Sequence, residues 1–380
     1  KINAGKYRPD GLSVETIDLD KSEFDNVQDA ITDGLLDGKN MANASKLREA
    51  ISNFLGEQKP KAKEAKRIQQ YDGIIERAVA AAAQTIMERS LDDQKVYDDL
   101  VELHQRTPAS QKAKDNQQAE MPAPVAFLAQ KELGLGARDR VYDPLARSGM
   151  LVAGLDNAIL NEPSTVRAEG LMDDGHTVTN EDAQSHEPRQ KYNAVIVNAN
   201  GKRGRNAAVQ ALAGMPDNGK AVIVLDGAAD QSLSARERAA FYRDDAEFFD
   251  TLYDGYAVTD HYVLDAGLFD GTAKPVARQV IVIDGKQATD QDTADVKQSI
   301  KLPYNRSSGV ATKNHIKSWE ELGNERLGLQ RDAASDDGRQ DGDTATATGQ
   351  NTQPDGSAGT TEGQDGLASG QESDDAGTVR

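Results

Sequence analysis

The residues with most chemical content lie in one stretch, Arg140-Val-Tyr-Asp-Pro-Leu-Ala-Arg-Ser-Gly-Met-Leu-Val152. Val141 and Tyr142 read as a short buried strand that Asp143 and Pro144 end. Ala146 to Gly149 make a tight loop of mostly small residues, Ser148 among them, and Met150 begins a short helix. A strand, an acid at its carboxyl end, a close loop and a helix start can cradle a nucleotide-like cofactor. Small loop residues admit backbone N–H groups to the ligand, and the acid accepts from a ribose or an amino group. An ordinary βα turn has the same pattern. Two more acids follow at strand ends. Glu162 stands about twenty residues beyond Asp143, where a doubly wound fold commonly keeps an acid for ribose hydroxyls. Asp182 stands just after a third strand, where a polar side chain can meet an adenine ring. Solvated loops account for most such acids singly, but ligands in open α/β sheets bind along the edge where all three fall. A fourth strand ends in Val195-Ile-Val-Asn-Ala-Asn-Gly-Lys-Arg-Gly204. Asn198 there can donate to and accept from a nucleobase edge. Lys202, Arg203 and Arg205 make a basic cluster able to hold phosphates, or simply an exposed polar loop.

The elements that must position these residues follow from periodicity. Lys1 to about Asp25 is polar and reads as a flexible arm. From Phe24 to Leu55 apolar residues recur at helical spacing in short runs, and Lys59 to Arg67 is a charged break. Tyr71 to Ser90 is the strongest helix, with Ile74, Ile75, Ala78, Ala82, Ile86 and Met87 on one face and an alanine-rich middle. A second runs from about Leu91 to Gln105. Thr107 to Met121 is a loop, and Pro122-Ala-Pro-Val starts a helix with prolines where a first turn tolerates them. From Asp139 strand and helix alternate. Strands are placed at Arg140–Tyr142, Leu155–Asn161, His176–Thr179, Ala194–Asn198, Ala221–Leu225, Tyr256–Leu264 and Gln279–Ile283. Helices are placed near Val166–Asp173, Arg205–Ala213 and Ala235–Thr251. This predicts a doubly wound, mostly parallel sheet, its last two strands an antiparallel hairpin at one end. Beyond about Gly328 there is almost nothing to bury, which predicts a disordered acidic tail or linker.

Composition narrows the function classes. The 380 residues carry a formal net charge of −19, which disfavours nucleic-acid binding through bulk electrostatics while leaving room for a local basic patch. With no cysteine, disulfides, thiolate metal sites and Cys nucleophiles are excluded. The five histidines lack metal-ligand spacing, so no metal is expected. Ala78 to Met87 is far short of the ~20 apolar residues of a membrane span. No signal peptide is visible, and the first residue is Lys, which suggests a piece of a longer polypeptide or a processed product.

The order Pro122-Ala-Pro-Val, Asp143-Pro-x-x-x-Ser-Gly149, Asn161-Glu-Pro163, Asp182 and Asn198 resembles the N6-adenine class of S-adenosylmethionine-dependent DNA methyltransferases. It is most similar to the methyltransferase-like domain of large phage and plasmid polypeptides related to strawberry notch helicases, some of them antirestriction proteins. Ala30-Ile-x-x-Gly-Leu-Leu-Asp-Gly-Lys39, Asp99-Leu-Val-Glu-Leu-His104, Gly255-Tyr-Ala-Val, Leu268-Phe-Asp-Gly, Gln279-Val-Ile-Val-Ile-Asp-Gly285 and Ser318-Trp-Glu-Glu-Leu322 extend the resemblance over roughly residues 25 to 325.

The resemblance implies a Rossmann-like methyltransferase sheet over 107–327, with a flexible arm at 1–25, a helical region at 26–106 and a disordered acidic tail at 328–380. Pro122, Asp143, Pro144, Ser148 and Gly149 would border the S-adenosylmethionine methionine, Glu162 its ribose and Asp182 its adenine. Asn198, with Asn200 beside it, would hold the target amino group of a flipped adenine. Lys202, Arg203 and Arg205 would meet DNA, and a helicase module would follow in the same polypeptide. The setting would be the host cytoplasm or a virion, without a membrane. Three departures bear on activity. Arg147 stands where the family has glycine, putting a cation beside a sulfonium and opposing cofactor binding. Asn198-Ala-Asn-Gly201 replaces Asn-Pro-Pro and an aromatic, and Glu120-Met-Pro replaces a Thr-Pro helix start. These predict impaired methyl transfer. The other expectation is a catalytically dead structural, DNA-protecting or virion-associated module. A nicotinamide dehydrogenase is disfavoured because no Gly-x-Gly-x-x-Gly follows a strand.

Overall fold

Ala194-Val-Ile-Val-Asn198 is apolar on both of its faces, as a strand covered on both sides must be, and the sheet is built outward from it. In the computed structural model, residues 17–19, 21–108, 121–226, 245–269, 277–287, 304–305, 309–310 and 315–328 are described. All fall in one compact unit, Lys1–Arg331. Strands β1 (Val141–Asp143), β2 (Ala158–Asn161), β3 (Val178–Thr179), β4 (Ala194–Asn198), β5 (Lys220–Asp226), β6 (Tyr256–Leu264), β7 (Arg278–Lys286) and β10 (His315–Ile316) form one sheet of order β10-β6-β7-β5-β4-β1-β2-β3. Two short strands, β8 (Tyr304–Asn305) and β9 (Gly309–Val310), pair apart from it.

β3, β2, β1, β4 and β5 are parallel, and β7 is antiparallel to both β5 and β6. The expected hairpin of β6 and β7 is therefore there, but β7 inserts between β5 and β6, and β10 adds parallel to β6 outside them. Hydrophobic pattern cannot reveal that insertion, because every middle strand of such a sheet is apolar on both faces. Strand order reverses between β1 and β4, which makes their carboxyl ends the topological switch point.

Helices α1 (Val27–Leu36), α2 (Ala44–Leu55), α3 (Ala65–Arg89), α4 (Asp93–Arg106), α5 (Ala123–Leu133) and α6 (Thr165–Asp173) share one apolar cluster with Ala194, Ile196, Val222, Val224 and Val280 on one sheet face. α7 (Gly201–Gly214) and α8 (Ala246–Gly255) cover the other face, against Val195, Val197, Ile223 and Ile281. α9 (Trp319–Leu327) returns to the first layer, where the Tyr97 hydroxyl donates to the Trp319 carbonyl at 2.7 Å. In β6, Tyr256 and Val258 pack on the second face, yet Tyr262 and Leu264 pack on the first. Alternation forbids this in a regular strand. The irregular register between Val258 and Asp260 turns the strand over.

Asparagine and aspartate caps set several helix starts. Asn26, Asn43 and Asp92 accept from backbone N–H groups of α1, α2 and α4. α3 begins six residues before Tyr71, inside the stretch read as a charged break, because Lys66 and Arg67 occupy its outer side and leave no apolar period to see. Ile17 and Leu19, in the stretch read as an arm, pack against the core. The expected β2 begins only at Ala158, after a turn at Gly154 (φ 77°). Of the helix expected at Ala235–Thr251 the described part starts at Ala246. The middle of the Thr107–Met121 loop, and the tail beyond Gly328, lie outside the described residues. Among the described residues no helix is long and apolar enough to cross a membrane.

Candidate functional site

β1 delivers Asp143 to the switch point, fully buried, with Oδ1 accepting from the Leu145 N–H at 2.9 Å. Pro144 is also buried, and its carbonyl accepts from Asn161 Nδ2 at 3.2 Å. The loop then turns through Arg147 at φ 54° and Gly149 at φ 81°. Arg147 is the single non-glycine in that region among the described residues, a conformation that costs an L-residue roughly 1–2 kcal/mol. The loop thus has, at Arg147, the backbone shape that glycine favours. Two contacts hold it there. The Arg147 N–H donates to Glu162 Oε2 at 2.8 Å. The guanidinium lies buried beside Glu76 of α3, Nη2 to Oε1 at 3.7 Å. Ser148 is buried next to it.

Glu162 follows β2 directly and is 3% exposed. Its Oε1 accepts from the Ser164 N–H at 2.8 Å, so the carboxylate ties the loop to the start of α6. The preceding Asn161 joins three segments: its Nδ2 donates to the carbonyls of Pro144 and Glu181, and its Oδ1 accepts from the Glu181 N–H and the Thr179 hydroxyl. Asp182 is exposed, with Oδ1 accepting from the Gln184 N–H at 3.1 Å. Its loop reaches across the switch point, because Asn206 of α7 donates to Gln184 Oε1 at 3.0 Å. His186 of the same loop lies 6.1 Å from the Tyr142 ring. The three acids expected along the edge are therefore on loops that meet.

Asn198 ends β4 and is 5% exposed, as is Asn200. Asn200 Oδ1 accepts from the Asp226 N–H at the end of β5. Its Nδ2 is buried without a hydrogen-bond partner among the described residues, a costly condition for an amide. Gly201 begins α7 at φ 65°, four residues earlier than expected, so the basic cluster lies on a helix rather than a loop. Lys202 and Arg203 are exposed. Arg205 forms an ion pair with Asp245. Pro122 is buried at the start of α5.

Sequence reading missed Glu76, Asp226 and Arg278, and quoted Asn161 within a motif without giving it a role. Arg278 is buried where β7 begins, with Nε 3.5 Å from Asp226 Oδ1 and its guanidinium over the Phe269 ring at 4.7 Å. Burial and the Arg278 charge pull the nearby His104 down to about 4. Asp226 carried the same signal as Asn198, a polar residue closing an apolar strand. Glu76 carried none beyond being an acid within an apolar helix. No cluster of potential metal ligands occurs among the described residues.

The chain folds as a doubly wound, mostly parallel α/β domain with a Rossmann-like sheet. No protein-family model matches it, and no curated protein does. Among solved structures it is similar to the M protein of the type I restriction enzyme EcoKI, at 12% identity over 70% of this chain and 68% of that one, TM-score 0.30. It is also similar to the Thermus thermophilus 16S rRNA N2 G1207 methyltransferase solved with AdoMet and guanosine, at 14% identity and TM-score 0.29. That match covers 44% of this chain and spans 40% of the length of that enzyme. A third is the N-methyltransferase NodS of Bradyrhizobium japonicum WM9 with S-adenosyl-l-homocysteine, at 11% identity over 49% of this chain and 96% of that one, TM-score 0.31.

Proposed function

We propose that this chain is an S-adenosylmethionine-binding domain of the N6-adenine DNA methyltransferase type, from an antirestriction-type phage or mobile-element polypeptide, in which methyl transfer is impaired. The observation that carries the reading is Arg147 at φ 54° within a loop at the switch point. Backbone in that region occurs in tight turns and where a loop approaches a ligand closely, and here it persists against the preference of its own side chain. The donor set fits the cofactor. Asp182 offers an exposed carboxylate, Glu162 retains further lone pairs, and Glu76 offsets the Arg147 charge.

The cofactor, when bound, supplies the methyl electrophile. The chain's part is to orient: Asn198 holds the amino group of a flipped adenine, and the exposed Lys202 and Arg203 meet phosphates. Impairment follows from the next residues. Asn200 is tied to Asp226, Gly201 enters α7, and no aromatic follows to stack on the base. Loss of stacking costs ~1–3 kcal/mol. A titration of the intact chain with S-adenosylmethionine, followed by a methylation assay on unmodified DNA, tests this. Saturable binding without turnover is expected; robust turnover contradicts the impairment, and absence of binding by both the intact chain and its Arg147→Gly variant contradicts the reading.

A second reading, a non-catalytic module that protects DNA, joins a virion or supports a helicase module of the same polypeptide, is favoured by one observation. Both Glu162 oxygens already serve backbone N–H groups, as loop-fixing residues do. DNA or protein binding with no cofactor affinity would select it.

A further inference from the structure

Arg147 and Arg167 share one carboxylate. Glu76 Oε1 lies 3.7 Å from Arg147 Nη2, and Glu76 Oε2 lies 3.9 Å from Arg167 Nε. All three side chains are 15% exposed or less, so their charges are poorly screened by water. The acid comes from the N-terminal helical layer, 71 residues before the loop it serves, and α3 is locked to α6 beside it. Arg77 Nε is 3.1 Å from Asp174 Oδ2 and donates to Gln28 Oε1, while Gln28 Nε2 donates to Asp174 Oδ1. Gly170 leaves the space that Arg77 fills; a Cβ there would lie 2.2 Å from Arg77 Nη1.

We propose that Glu76 is a specificity-determining residue for the charge of the cofactor. It compensates Arg147, so that a loop carrying a buried guanidinium still accepts a sulfonium. This rests on the reading that the loop binds S-adenosylmethionine. S-adenosylmethionine carries a positive sulfur, whereas S-adenosylhomocysteine has a neutral thioether of nearly the same shape. Removing the compensating acid therefore penalises the first ligand and spares the second. A change of one charge beside a partly buried site changes such a ratio by on the order of tenfold to a hundredfold.

The experiment is calorimetric titration of the intact chain, and of Glu76→Gln, Arg147→Gly and the double variant, with each of the two ligands. Circular dichroism confirms that each variant is folded. In Glu76→Gln, affinity for S-adenosylmethionine is expected to fall at least tenfold relative to S-adenosylhomocysteine, and in the double variant the ratio is expected to return. An unchanged ratio in Glu76→Gln, or a changed ratio that persists without Arg147, overturns the proposal and leaves the cofactor reading standing. Binding of neither ligand by any folded variant overturns both. Should Glu76→Gln not fold, Arg147→Gln in the otherwise intact chain gives the opposite test: the ratio must move toward S-adenosylmethionine, and no movement overturns the proposal.

Discussion

Glu162 shows how a single side chain can organise this edge. Its carboxylate was read as a ribose acceptor; in the structure its two oxygens fix the Arg147 N–H and the start of α6. Arg147 was read as a cation placed beside the cofactor's sulfonium; its guanidinium lies 3.7 Å from the Glu76 carboxylate. His261 is a separate case with a pH consequence. It is 1% exposed, and its Nδ1 accepts from the Tyr253 hydroxyl while Nε2 donates to Gln279 Oε1, both at 2.8 Å. Burial, against a smaller opposing effect of Gln279, lowers it to about 4. A depressed folded-state value means the unfolded chain takes up the proton first. His261 therefore contributes stability that is complete above about pH 6.5 and is lost as pH falls toward 4, up to ~3 kcal/mol. Denaturant melts from pH 7 to 4.5 should show that loss, and His261→Gln should reduce it, leaving the share of the similarly depressed His104. An acid slope identical in both proteins would contradict the assignment.

The elements around Asn198 are held close by absent side chains. A Cβ on Gly204 would lie 2.6 Å from the Ala199 carbonyl carbon, backbone against backbone, so α7 sits directly on the loop that carries Asn198 and Asn200. Gly204→Ala must push the helix away, at a cost of ~1–3 kcal/mol. A chemical melt reads the loss of stability; an alanine variant as stable as the parent would mean that the helix yields freely. At this scale most of the fold was legible. Ala194–Asn198 and Tyr256–Leu264 match the expected strands to the residue, the first preceded by the polar Asn193 and the second bounded by Gly255 and Asp265. What was hidden needed tertiary partners. Nothing local tells that β7 slides between β5 and β6, that β6 turns over at its bulge, or that two-residue β10 exists. The site divides the same way: strand-end residues such as Asp143 and Asn198 followed from position, whereas the Glu76 pairing depends on where α3 crosses the loop.

In the molecule as a whole, the helical layer and the sheet share one core. The cluster on the first face runs from Val27 and Ile31 through Ile75 and Leu100 to Val222 and Val280 without a break. Residues 107–327 expressed without the preceding helices would expose that face, and a contiguous apolar surface of this kind drives association. Size-exclusion chromatography should show the fragment aggregated and the intact chain not; a monomeric, cooperatively melting fragment would contradict a shared core. The same layer also supplies Glu76, so the region N-terminal to the sheet places an acid beside the loop of Arg147. The formal charge of −19 adds a general attraction for a cationic ligand, which salt screens. The most direct measurement is calorimetric titration of the intact chain with S-adenosylmethionine at moderate salt. A saturable, single-site isotherm is the result this account predicts, and no binding by either the intact chain or its Arg147→Gly variant is the result that would contradict it.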